Sequence, residues 1–128
     1  MDCLAFEMIN PNNHDCQWEI IVANGVNSGL KYSLNNEDYK DYDKVIKSNK
    51  DKIYFKLPLK WNNPNVTNHT FTVKIINNTN ADETIYFKIY GNLCNSDEVN
   101  NGQYRELFKD NTLLQDVSDL NLDILNMS

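Results

Sequence analysis

Lys52-Ile53-Tyr54-Phe55-Lys56-Leu57-Pro58-Leu59-Lys60-Trp61 is the stretch that decides the fold. Ile53, Phe55, Leu57, Leu59 and Trp61 alternate with Tyr54, Lys56, Pro58 and Lys60. A period of two places alternate side chains on opposite faces of a strand, one apolar and one wet. The pattern returns twice, in Phe71, Val73 and Ile75, and in Ile85, Phe87 and Ile89, the last set alternating with Tyr86, Lys88 and Tyr90. Antiparallel sheets with one face on a core have this pattern. The short polar connection 78–83 predicts that the second and third strands form a hairpin. Pro58 lacks an N–H, which predicts an edge or a bulge for the first.

Further strands are predicted around Leu4, Phe6 and Met8, around Trp18, Ile20 and Val22, and around Leu30, Tyr32 and Leu34. A weak one follows between Tyr39 and Ile46, and a last one carries Leu120, Leu122 and Ile124. Residues 104–115 fit either a short amphipathic helix or an irregular cover. The fold class is all-β: an antiparallel β-sandwich, Ig-like or jelly-roll, of about eight short strands. The expected organisation is a single domain over 1–128, with 104–128 as a C-terminal covering or docking segment.

Asparagine is the compositional outlier, with 22 residues scattered through the turns rather than gathered in a tract. Lysine outnumbers arginine eleven to one, and alanine, glycine and proline are scarce, the imprint of an AT-rich genome. A net charge of -6 argues against nucleic acid or an anionic membrane as main partner, since both need a positive field. Only the run from Lys44 to Lys60 is locally basic, and it reads as a solvated sheet face. The opening residues lack a basic segment and a long apolar run, and Cys3, Cys16 and Cys94 are odd in number. These features predict synthesis in the cytosol without a signal peptide, no membrane span and reduced thiols. The glycosylation patterns at Asn65, Asn68, Asn77 and Asn126 are discounted as chance matches in an asparagine-rich chain.

Leu30-Lys31-Tyr32-Ser33-Leu34-Asn35-Asn36-Glu37, then Tyr39 and Tyr42, then Asp51-Lys52-Ile53-Tyr54-Phe55-Lys56, resemble Ig-like modules of phage virion and bacterial surface proteins. In those modules a strand reading leucine, any residue, tyrosine, serine leads into an acidic or glycine-rich turn with an aromatic. A later strand opens with glycine, aspartate, lysine, isoleucine, tyrosine, phenylalanine. Here Asn49 and Lys50 stand where the glycine is usual, and tyrosine replaces the usual tryptophan after the turn. The resemblance implies a presentation or assembly module without catalysis, and the family has no fixed functional residues to carry over.

His14, Asp15 and Cys16 form the most reactive-looking triplet, and His69 with Cys94 could complete a thiol or zinc site. Zinc sites use compact ligand pairs, and a cysteine nucleophile needs an oriented base, so structural cysteines are the expectation and no cofactor is predicted. Asn35, Glu37, Asp41 and Asp43 offer oxygens on one turn, a weak Ca²⁺ alternative that lacks the turn glycine and closing glutamate of the standard loop. Tyr54, Trp61, Tyr86, Lys88 and Tyr90 form the candidate binding surface, an aromatic stripe whose bland counterpart is cross-strand packing.

The expectation from class and composition is a non-enzymatic structural or assembly module: a small capsid-associated virion protein of a phage or large DNA virus. Its partners would be other protein subunits in a homo- or hetero-oligomer. The alternative is a carbohydrate-binding, lectin-like module that contacts glycans. A further alternative is a β-sandwich toxin or small hydrolase.

Overall fold

The computed structural model describes residues 3–9, 16–58, 68–78, 85–92, 94–95, 97–101, 105–106, 112–114 and 119–125. The chain in order forms β1 (Cys3–Ile9), β2 (Cys16–Val22), β3 (Lys31–Ser33), β4 (Lys40–Asp41), β5 (Ile46–Ser48), β6 (Lys52–Lys56), β7 (Asn68–Asn78) and β8 (Ile85–Asn92). A single helical turn, α1 (Asp97–Asn100), precedes β9 (Arg105–Glu106), β10 (Thr112–Leu114) and β11 (Asp119–Leu125). The strands build two antiparallel sheets. The larger runs β10-β8-β1-β6-β3-β4, with β9 also on β8, and the smaller runs β11-β7-β2-β5. This is the all-β sandwich that the alternating pattern predicts. Among the described residues no helix is long and apolar enough to cross a membrane, which leaves strands unaddressed.

The core is the set of inward positions of both sheets. Leu4, Phe6 and Met8 of β1, Ile53 and Phe55 of β6, and Phe87 and Ile89 of β8 are buried from the larger sheet. Trp18, Ile20 and Val22 of β2, Ile46 of β5, and Phe71, Val73 and Ile75 of β7 are buried from the smaller. Aromatic rings carry the contact between layers: Phe71 stacks on Phe6 at 5.5 Å and meets Phe55 edge-on at 5.2 Å. Trp18 lies 4.9 Å from Phe87 and donates its Nε1 hydrogen to the Lys50 carbonyl at 2.7 Å, so its one polar atom is satisfied.

Three expectations about strand placement are corrected. β7 and β8 do not pair: β7 lies between β2 and β11, and β8 between β1 and β10. Their short connection crosses from one sheet to the other, because Phe71, Val73 and Ile75 face Phe87 and Ile89 across the interior instead of sharing a face with them. The first strand of the pattern is not at an edge either. β6 stops at Lys56, between β1 and β3, and Pro58 follows it outside the ladder. There Pro58 leaves only 3.3 Å to a Cβ built on Gly29, whose φ of +91° already demands glycine. The weak strand between Tyr39 and Ile46 divides into β4 and β5, one in each sheet.

Tyr42 makes that crossing. Its backbone N–H donates to Leu30 at 2.9 Å, its hydroxyl accepts the Val22 N–H at 2.8 Å, and the same hydroxyl donates to the Lys44 carbonyl. A Cβ on Gly25 would come within 2.8 Å of the Tyr42 ring, so only glycine admits the ring here. Burial raises the Tyr42 phenol above its ordinary pKa; the Val22 N–H opposes the rise and the Asp43 charge adds to it.

Within 104–115 the described residues form β9 and β10, two short pieces paired with β8, and the rest of the expected helix or cover lies outside the described residues. Cys3 and Cys94 form a disulfide across 91 positions, which corrects the expectation of reduced thiols. Adjacent placement explains it: Cys3 pairs with Asn92 in the β1–β8 ladder, so the residue two beyond Asn92 falls beside it, with the Cα atoms 5.0 Å apart.

Candidate functional site

β1 is the axis of the larger sheet's outer face, flanked by β6 and β8. The register sets three rows across it: Lys52–Glu7–Lys88, Tyr54–Ala5–Tyr90 and Lys56–Cys3–Asn92. Because Leu4, Phe6 and Met8 point into the core, Cys3, Ala5 and Glu7 belong to the opposite face. Cys3 and Ala5 are nevertheless only 1% and 3% exposed. Cys3 is bonded to Cys94, and half-buried Tyr54 and Tyr90 flank Ala5 in register.

Tyr54, Lys88 and Tyr90, three of the five residues of the expected stripe, therefore share one patch. Glu7 organises it: the Tyr90 hydroxyl donates to Glu7 Oε1 at 3.0 Å, and Lys52 Nζ lies 3.8 Å from Oε2. Tyr86 takes a backbone place opposite Ile9 on one side and Leu113 on the other; its side chain lies outside the described set, as does all of Trp61. Glu7 was missed by sequence reasoning. A lone acid among apolar residues in β1 is the signal, but its partners come from strands more than forty residues away, which the register alone identifies.

The acidic turn is held by its own side chains. Asn35 Oδ1 accepts the Ser33 hydroxyl at 2.8 Å and the backbone N–H groups of Glu37 and Asp38 at 2.9 Å each, while Asn35 Nδ2 donates to Asp38 Oδ2 at 2.9 Å. Asp41 lies 2.8 Å from Lys31 Nζ on an exposed ion pair. Asn35, Glu37, Asp41 and Asp43 are thus not drawn to one point, and among the described residues no group of three or more histidines, cysteines or acids is placed to hold a metal. His14 lies outside the described residues, and Cys16 and His69 are described by backbone only. Cys94, bonded to Cys3, is no free thiol for a zinc or nucleophilic site.

A groove of about 340 Å³ that sequence reasoning missed lies beside this turn, lined by Tyr32, Ser33, Leu34, Asn35, Asp38, Lys40 and Lys50. On the nearby sheet surface Lys56 Nζ sits 4.1 Å from the centre of the Tyr39 ring, and the Tyr39 hydroxyl donates to Asn36 Oδ1 at 2.6 Å. No protein-family model, curated protein or solved structure matches the chain.

Proposed function

We propose that this protein is a non-enzymatic structural or assembly module, a small virion-associated subunit of a phage or large DNA virus that works by contact with other protein subunits. The supporting observation is the outer face of the larger sheet. Tyr54 and Tyr90 are half-buried, joined through Ala5 and bordered by Lys52, Glu7 and Lys88, on a sheet backed by an aromatic core. Rigid tyrosines with a charged border lose little entropy on docking and suit a protein interface. The Cys3–Cys94 bond fits the same reading, since disulfides persist on virion and cell surfaces.

Absolute mass in solution, read by light scattering against concentration, tests the proposal. The native protein should form a discrete oligomer, and Tyr54→Ala with Tyr90→Ala should weaken it by roughly tenfold or more. A native protein that stays at the 14.9 kDa monomer mass throughout removes the reading.

The groove supports a second reading, a carbohydrate-binding module, because Tyr32 supplies a ring and Asn35, Asp38 and Lys40 supply polar groups around it. A glycan panel that leaves the protein's fluorescence unchanged sets that reading aside.

A further inference from the structure

A row of residues of alternating charge crosses the smaller sheet in register. Lys47 of β5 stands opposite Glu19 of β2, Glu19 opposite Lys74 of β7, and Lys74 opposite Asp119 of β11. One row across four strands therefore reads plus, minus, plus, minus. The adjacent row pairs Ile46, Ile20, Val73 and Leu120, of which Ile46, Ile20 and Val73 are buried. β5 and β11 end the sheet among the described residues, so its two edges finish the same row with opposite charge.

We propose that a second copy of this chain extends the smaller sheet, with β11 of one copy laid antiparallel against β5 of the next and Asp119 entering opposite Lys47. The inference rests on the assembly reading and names the partner and the contact. Strand direction allows it. β5 and β7 both run antiparallel to β2, and β11 runs antiparallel to β7, so a copy shifted along the sheet without rotation brings β11 antiparallel to β5. In that register the charge alternation continues across the join, and Leu120 falls into the row of Ile46 and Ile20.

Lys47 in an edge strand would by itself read as a guard against such pairing. The acid at the same row of the opposite edge turns that guard into a selector: a partner edge with a lysine there is repelled, and one with Asp119 is accepted. The contact is head-to-tail, so copies continue into a ring or an open row. It is also short. Lys44 has a φ of +61° and turns the chain just before β5, so in this register Ile46 and Lys47 of β5 are the residues that face β11. Association through it is therefore weak, concentration-dependent and reduced by salt.

The experiment is light scattering of the native protein, Lys47→Glu, Asp119→Lys and a one-to-one mixture of the two variants, at low and high salt. Each variant alone carries like charges at both edges and should associate roughly tenfold or more weakly than the native protein. The mixture restores opposite charges at both joins and should recover the native mass. Lys47 is exposed, so its substitution leaves the core intact, and unchanged far-ultraviolet circular dichroism checks this. Variants that assemble like the native protein, or a mixture no larger than its components, overturn the edge contact while leaving assembly through the tyrosine face standing. A native protein monomeric at every concentration overturns both.

Discussion

The two outer faces of the sandwich start from the same alternation and end in different states. On the larger sheet, outward Cys3 and Ala5 are as buried as core residues, the first bonded to Cys94 and the second between two tyrosines. On the smaller sheet, outward Ile21 is 44% exposed, and Lys47 and Lys74 are exposed beside it. Periodicity fixes which side a residue takes, but what lies over that side depends on loops and cross-links from elsewhere in the chain. The centre of one face is covered by the chain itself, with half-buried Tyr54 and Tyr90 left at its surface, and the other face turns its charges to solvent.

The largest expected effect comes from uncovering the centre of the larger sheet's outer face. Cys3→Ser with Cys94→Ser releases a closure spanning 91 positions, for which the chain-entropy argument gives about 4–5 kcal/mol. Urea unfolding should show a loss of that order, and equal midpoints for the oxidised protein and the double variant would mean the cover holds without the bond.

The joint between the sheets comes next. Tyr42→Phe strands the Val22 N–H and the Lys44 carbonyl and should cost about 1–3 kcal/mol in the same assay. Because the folded phenol has a raised pKa, its contribution is complete below the ordinary tyrosine value of 10.0 and is lost as pH rises through the folded value. Native protein should therefore lose stability above that pH more steeply than Tyr42→Phe, and parallel curves would show that the hydroxyl does not report folding.

The smallest effect tests the open face. Glu19→Ala removes the centre of the charge ladder, with cross-strand pairs of about 0.2–1 kcal/mol each in water. A loss well beyond their sum would show that this face is covered in solution.

The strands themselves were legible because their core residues obey a strict period: Phe71, Val73 and Ile75 are buried in β7, as Leu4, Phe6 and Met8 are in β1. Pairing was not. A short loop after β7 is compatible with a hairpin or a crossing, and the choice lies in which apolar faces must oppose across the core. The patch was half legible for the same reason. Period two places Lys88 and Tyr90 together on β8, but Tyr54 and Glu7 join them only through β1, whose neighbours are non-local. Cys3 and Cys94 carry no spacing signal at all, since their proximity is a product of that register.

The position of β1 also governs the order of events during folding. Its inward Phe6 stands between Ile53 and Ile89, so the axis of the larger sheet gains its first neighbour only after some fifty residues have been made and its second only after β8. Until then Leu4, Phe6 and Met8 lie in an apolar segment with neither of its sheet partners. Closing such distant pairs is slow, because loop entropy is lost before contacts compensate. During synthesis this segment is therefore exposed to capture by a chaperone or by another copy of itself.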